Sequence, residues 1–225
     1  MYMSRLTLSP FARVRDLERV ARMDAYAEHR LLWGFFPGGD SQRRFLFRRV
    51  EARRRPAFLV VSREEPVSPS PAWIVETKPY EPRLEPGQRL AFSLRANPVV
   101  SRRSEDGRQQ RHDVVMDAKT SLRREHPGEP APMGELIQTA GSAWLAARAE
   151  RFGFSLEHWA VRCDGYRQHR IVRRGGVVYF SSLDFEGILE VTDSARFSRT
   201  LYEGIGPEKA FGCGLLLVRR ARAGV

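Results

Sequence analysis

The chain has 225 residues, of which 38 are Lys or Arg and 27 are Asp or Glu, so its formal net charge is +11. A hydrophobic content of 42% excludes a disordered chain, and no apolar stretch reaches the roughly 18 residues that a membrane helix needs. The N-terminus lacks the apolar run and cleavage site of a secretory signal, and two cysteines cannot build a disulfide framework, so we expect a cytoplasmic protein without a membrane partner.

The first half of the sequence predicts the order strand, helix, strand, strand, strand. Residues 2–9 alternate in the manner of a half-buried strand, and a short helical turn is expected over 16–23. Asp24 is placed to cap a helix over 25–36, which Pro37 and two glycines end. Three further strands are predicted over residues 45–51, 57–62 and 72–78.

A similar order returns after residues 80–88, a segment with two prolines and a glycine that is typical of a linker. Strands are predicted over 90–100, 114–116, 158–163, 177–192 and 215–218, and helices over 134–152 and 194–202. Residues 101–112 are expected to form an exposed turn. Because both halves approximate the βαββαβ order, we predict an α+β fold of two tandem ferredoxin-like domains, residues 1–85 and 88–225.

The charge indicates a polyanionic partner, most often a nucleic acid. Only three of the 38 cationic residues are lysines, which are Lys78, Lys119 and Lys209. This bias has two explanations that composition does not separate. A GC-rich genome encodes arginine in place of lysine, whereas the planar guanidinium suits phosphate recognition.

Histidine is the residue type that points to chemistry, and metal chemistry is not indicated. The five histidines fit no zinc-binding spacing and no carboxylate cluster accompanies them; they are His29, His112, His126, His158 and His169. The sequence also contains no P-loop and no GxSxG motif, so we expect neither nucleotide hydrolysis nor a serine hydrolase. No cofactor and no metal are therefore predicted.

His29 is the strongest catalytic candidate. Tyr26 and His29 are three residues apart on the predicted helix and share a face, and Arg30 adjoins them. A phenol and an imidazole side by side can move protons at neutral pH, and Arg30 could neutralise a phosphate. The alternative is that Tyr26, His29 and Trp33 form an ordinary amphipathic stripe.

Two further segments are candidates for phosphate binding. Residues 204–214 contain Lys209 and four glycines that would let the backbone approach a phosphate; the glycines are Gly204, Gly206, Gly212 and Gly214. A predicted hairpin over 167–176 carries Arg167, Arg170, Arg173 and Arg174. The alternatives are a simple turn for the first segment, and for the second a charged edge that prevents strand pairing.

Several segments in one order carry a family resemblance. They include MYMSRL, YAEHRLLWGFFP, LRANPV, FEGILEVTD and GIGPEKAFGCGLLLV, and together they resemble the CasE family, the CRISPR repeat-RNA endoribonucleases of type I-E Cascade. The likeness is collinear over nearly the whole chain, although residues 15–22 and 101–133 are additional to shorter members.

The resemblance implies two ferredoxin-like domains that bind the stem-loop of CRISPR repeat RNA, cut once at the 3′ base of the stem without a metal, and often remain with other Cascade subunits. It places the catalytic pair on His29 and Tyr26, the glycine-rich loop on 204–214 and the groove-binding hairpin at about 166–177. We add Lys209 as a candidate electrostatic stabiliser. The alternatives are a non-catalytic RNA-binding subunit, or a metal-dependent nuclease, for which the required carboxylate cluster is not evident.

Overall fold

The computed structural model describes residues 1–37, 45–52, 55–103, 106–173 and 175–221. Its eleven described strands are β1 (Tyr2–Leu8), β2 (Phe45–Ala52), β3 (Arg55–Ser62), β4 (Trp73–Pro79), β5 (Arg89–Ala96), β6 (Val99–Arg103), β7 (Gln109–Asp113), β8 (Phe154–Ser155), β9 (Val161–Arg173), β10 (Gly176–Val191) and β11 (Leu216–Arg220). Its five described α-helices are α1 (Val14–Ala21), α2 (Ala25–Trp33), α3 (Val114–Glu125), α4 (Met133–Ala149) and α5 (Ser194–Glu203). None of the described helices is long and apolar enough to cross a membrane.

The first sheet has the strand order β2-β3-β1-β4, and every neighbouring pair is antiparallel. This is the order of a ferredoxin-like sheet, with a loop over residues 63–72 in the place of the second helix. Side chains alternate across β2. Phe45 and Phe47 pack with α1 and α2 in one core, whereas Leu46 points to the opposite face.

The second sheet repeats the arrangement with the order β11-β5-β10-β9, and the short strand β8 pairs with the end of β10. Helices α4 and α5 supply the apolar side chains that cover it, among them Trp144, Leu145, Phe197 and Leu201. The prediction of two tandem ferredoxin-like units is confirmed, while the boundaries 1–85 and 88–225 stay a prediction.

One segment of the second unit differs from the prediction. Residues 101–103 and 109–112 belong to a two-stranded ribbon, β6 with β7, and within the described residues the expected turn is limited to 106–107. The predicted strand over 114–116 is wrong, because Asp113 accepts hydrogen bonds from the N–H groups of Val115 and Met116 and so caps α3. A three-residue apolar run does not distinguish a strand from the buried first turn of a helix.

The two units share a small apolar cluster. Leu46 of β2 and Val61 of β3 pack with Leu215, which precedes β11. Tyr80 and Tyr202 add an edge-to-face contact with ring centroids 5.8 Å apart, and the Tyr202 hydroxyl donates to the Tyr80 carbonyl at 3.1 Å. The first sheet is therefore covered on one face by its own helices and on the other by the second unit.

Candidate active site

Helix α2 holds the predicted catalytic residues. It begins where Asp24 accepts a hydrogen bond from the N–H of Ala27 at 2.8 Å, as the sequence predicts. It ends at Trp33 and not at Phe36, because residues 34–36 bond back three residues in a tighter turn. Tyr26 and His29 are both half-buried and Arg30 is exposed.

His29 is oriented by Trp33, one turn further along α2. The indole N–H of Trp33 donates to Nε2 of His29 at 3.1 Å, and the two rings meet edge to face. Because Nε2 then presents a lone pair, the neutral ring carries its proton on Nδ1. The Phe45 and Phe47 rings lie 5.7 and 6.2 Å from the imidazole, and burial lowers the pKa of His29.

The predicted Tyr26–His29 pair is only partly formed. Both side chains come from the same helix three residues apart, but no hydrogen bond joins them in the described part of the chain. The alternative, an amphipathic stripe, describes part of this arrangement, because the side chains of Trp33 and His29 are in contact. Their contact includes a hydrogen bond that fixes the tautomer of the histidine, and a purely apolar stripe would not form one.

The glycine-rich loop of residues 204–214 reaches this helix from the second unit. Its short 3₁₀ turn, Lys209–Phe211, contacts both α2 and β2. A Cβ on Gly212 would lie 3.3 Å from the Phe47 ring, so the backbone at this point approaches the aromatic side chains beneath His29. Lys209, a half-buried residue, is thereby carried to the same region as His29.

All four glycines of the loop have positive φ, and at Gly204 the reason is explicit. A Cβ there would lie 2.6 Å from the Gly214 carbonyl oxygen and 2.9 Å from Leu46. The N–H groups of Gly204 and Gly214 donate to the carbonyls of Thr200 and Arg95, so neither is available to a phosphate. These two glycines shape the loop, and RNA binding by the four glycines stays a prediction.

The basic hairpin is formed by β9 and β10. Arg167 and Arg173 lie on one face of the ribbon, and Arg170 lies on the other, where its Nε donates to the Tyr179 hydroxyl at 3.3 Å. These three arginines are exposed, and Arg174 lies outside the described residues. The ribbon therefore carries charge on both faces, and its contact with RNA stays a prediction.

Nearly the whole sequence matches one protein family. A sequence model described as CRISPR associated protein matches residues 1–220. The chain belongs to this CRISPR-associated protein family. The resemblance predicted from the sequence is confirmed by two curated relatives. One is the CRISPR system Cascade subunit CasE of Escherichia coli, 30% identical over 220 residues that cover 96% of this chain and 98% of the relative.

The other relative is the CRISPR-associated endoribonuclease Cse3 of Thermus thermophilus, 32% identical over 97% of this chain and 99% of the relative. Among solved structures, Thermus thermophilus Cse3 bound to an RNA representing a pre-cleavage complex superposes with a TM-score of 0.69 at 31% identity. That match covers 97% of this chain and 98% of the Cse3 chain.

Sequence reasoning missed how this CRISPR-associated protein ties the hairpin to the glycine-rich loop. The rings of His169 and Phe180 stack at 4.5 Å, and Phe180 stacks on Phe211 at 5.1 Å. His169 Nε2 lies 2.8 Å from Ser182 Oγ, and burial lowers the pKa of this histidine. This contact follows from the cross-strand pairing of His169 with Phe180. Predicting that pairing requires the register of the two strands, which residue spacing alone does not give.

A cationic cleft between the two units was also missed. It has a volume of about 750 Å³ and its lining includes Arg48, Arg49, Arg95 and Arg167. Arg95 donates two hydrogen bonds of 2.7 Å to Asp184. Within the described residues, no group of three or more His, Cys, Asp or Glu side chains is arranged to hold a metal ion.

Proposed function

We propose that this protein is a metal-independent endoribonuclease that binds the stem-loop of CRISPR repeat RNA, cuts at the 3′ base of the stem and remains on the product as a Cascade subunit. One observation carries the proposal. The helix of His29 contacts the Lys209–Phe211 turn, and that turn is joined through Phe211 to the arginine hairpin. A neutral imidazole, a lysine and a cationic ribbon are thus within one connected region.

RNA carries its own nucleophile for this reaction, the 2′-OH. The 2′-OH attacks the adjacent phosphorus, its proton passes to a general base, and the 5′ oxygen leaves with a proton from a general acid. The products are a 2′,3′-cyclic phosphate and a 5′-OH, and the atoms balance without added water. His29 and Tyr26 are proposed to share the acid and base roles, and Lys209 to stabilise the negative charge on the phosphorane.

The Trp33 hydrogen bond bears on the role of His29. A lowered pKa keeps the ring neutral at pH 7, which suits a general base. The Nε2 lone pair is engaged by Trp33, so a 2′-OH that uses this nitrogen must displace the indole N–H. Trp33 is therefore proposed as a positioning residue that holds the neutral tautomer until substrate arrives.

The proposal that repeat RNA and other Cascade subunits are partners is supported by two relatives and by the charge of the hairpin. One relative is a Cascade subunit, and another was solved with a pre-cleavage RNA. Arg30, Arg167, Arg170, Arg173 and Arg174 are proposed to contact phosphates. Recognition in the manner of an RRM sheet, on exposed aromatic side chains, is disfavoured because Phe45 and Phe47 are buried beneath α2.

The test is cleavage of a repeat stem-loop RNA in EDTA by the wild type and by His29→Ala. The wild type is expected to cut, and His29→Ala to lose about 10²–10⁴-fold in rate while keeping its RNA affinity. The exposed His126 supplies the matched control, His126→Ala, which should cut normally. Binding without cleavage by the wild type would favour a non-catalytic subunit, and cleavage only with added metal would contradict the mechanism.

A further inference from the structure

A second polar pocket lies where β5 ends and β10 continues. The last β5 residue, Ala96, pairs with Leu183, whereas β10 extends to Gly176 in the hairpin. Asn97 directly follows the end of β5, and it lines a pocket of about 360 Å³ together with Ser181. Pro207 and Glu208 of the glycine-rich loop close one side, so the loop that reaches His29 also borders this pocket.

The floor of the pocket is polar and unsatisfied. Asn97 is 3% exposed and Ser181 is 4% exposed, and both line the pocket. Asn97 Oδ1 is a fully buried side-chain acceptor with no hydrogen-bond partner in the described part of the chain, whereas the Ser181 hydroxyl lies within hydrogen-bonding reach of Tyr166. The neighbouring Tyr166 hydroxyl donates to Asp113 at 2.8 Å. Because an unpaired buried acceptor is costly, the Asn97 oxygen at this pocket points to a missing ligand.

The walls provide charge and an aromatic rim. Glu208 has φ 56°, a left-handed conformation that a non-glycine residue adopts only at a cost, and burial raises the pKa of its carboxyl group. Arg111 lies close enough to lower that pKa and also lines the pocket. Tyr179 stands at the rim and is 70% exposed, although it is a large aromatic residue.

We propose that this pocket takes one unpaired nucleobase of the bound RNA, stacked on Tyr179 and donating from its exocyclic amino group to Asn97 Oδ1. The proposal rests on the proposed function, because it presupposes that RNA lies on the hairpin. A phosphate fits less well, because the lining includes the two carboxyl groups of Asp113 and Glu208 against one arginine, Arg111. Unstacked bases are recognised in this way, by an aromatic face and hydrogen bonds to one edge.

The experiment is a scan of abasic substitutions at the unpaired positions of a repeat stem-loop RNA, with dissociation constants measured for the wild type, Asn97→Leu and Ser181→Ala. One abasic position is expected to weaken wild-type binding by about tenfold, within the range for loss of one stacked base. Both variants should bind the intact RNA more weakly. In Asn97→Leu the abasic substitution at that position should have a smaller further effect than in the wild type, because only the stacking on Tyr179 is left to lose.

Folding is controlled in the same experiment. Asn97→Leu replaces an unsatisfied amide with an apolar group of similar size, so its melting temperature should match or exceed that of the wild type. Ser142→Ala is the matched serine control, because Ser142 is buried but its hydroxyl donates to the Thr139 carbonyl. It should leave the abasic scan unchanged.

Each remaining outcome has one meaning. If the wild type binds the stem-loop tightly and no unpaired position is sensitive, the pocket holds only water and the inference is wrong, while the proposed function stands. Abasic and protein effects that simply add would overturn it as well. If the wild type binds no repeat stem-loop at all, the failure belongs to the proposed function.

Discussion

Replacing Trp33 by phenylalanine removes the N–H that donates to Nε2 of His29 and keeps an aromatic ring beside it. That hydrogen bond exists only with the neutral imidazole, because protonation converts Nε2 into a donor. A bond of this kind contributes about 0.5–1.5 kcal/mol. Since 1.36 kcal/mol corresponds to one pKa unit, the pKa of His29 should rise by about 0.4–1.1 units in Trp33→Phe.

The assay has two readouts. An NMR titration of the His29 ring, assigned by comparison with His29→Ala, gives the pKa directly. If His29 is the general base, the acidic limb of kcat/KM for RNA cleavage should move to higher pH by the same amount. The pH dependence of the free energy of unfolding should change as well. Because the folded-state pKa of His29 is lowered, the wild type loses stability as pH falls from about 6.5 toward that lower pKa. In Trp33→Phe the pKa is lowered less, so this loss should be smaller.

A packing control is available in the same core. Trp73→Phe removes a comparable volume from the cluster that contains Phe35 and Phe58, and Trp73 does not touch His29. It should destabilise the protein and leave the pKa of His29 where it is. A Trp33→Phe variant whose His29 pKa is unchanged or lower would refute the reasoning, and an equal shift in Trp73→Phe would assign the effect to packing.

Two other predictions concern charge. The hairpin variant replaces three arginines by glutamine: Arg170, Arg173 and Arg174. It should reduce the slope of log K against log salt for repeat RNA by about 2–3, and an unchanged slope would exclude the hairpin from the interface. Glu28→Ala should cost about 1.5–3 kcal/mol in urea unfolding, because it removes the charged hydrogen bond of 2.7 Å between Arg49 and Glu28 in a largely buried site. Glu76→Ala, which removes an exposed partner of Arg5, should cost under about 1 kcal/mol, and equal costs would contradict the argument.

The fold was predictable where the sequence carries a clear local signal. Strand β1 has alternating apolar residues and helix α2 has an N-terminal cap, and the structure places both within a few residues of the prediction. The ribbon of β6 and β7 was not predictable, because its side chains are mostly exposed on both faces and it has no apolar alternation to read. Helix α3 was missed for a related reason, since only its first turn, at Val114 and Val115, is fully buried.

Only the part of the site whose residues are close together in the sequence could be predicted. Tyr26, His29 and Trp33 lie on one helix, so their shared face follows from spacing, and the Trp33 hydrogen bond spans a single turn. The pocket at Asn97 and Ser181 combines residues from five separate segments of the chain. Its unsatisfied acceptor is a property of strand register and burial, which composition and spacing do not contain.

The contact between the two units would allow one chain both to hold a stem and to position a cut, as the proposed function requires. Arg48 of β2 donates to Ser93 Oγ of β5 at 2.8 Å and lies 3.9 Å from Asp184 of β10. The next residue, Arg49, pairs with Glu28 in α2, the helix of His29. Adjacent residues of one strand therefore connect the helix of His29 to the sheet from which the hairpin extends. Because these polar contacts and the apolar cluster of Leu46, Val61 and Leu215 join the two units, the fold constrains the distance from the hairpin to His29 before RNA arrives.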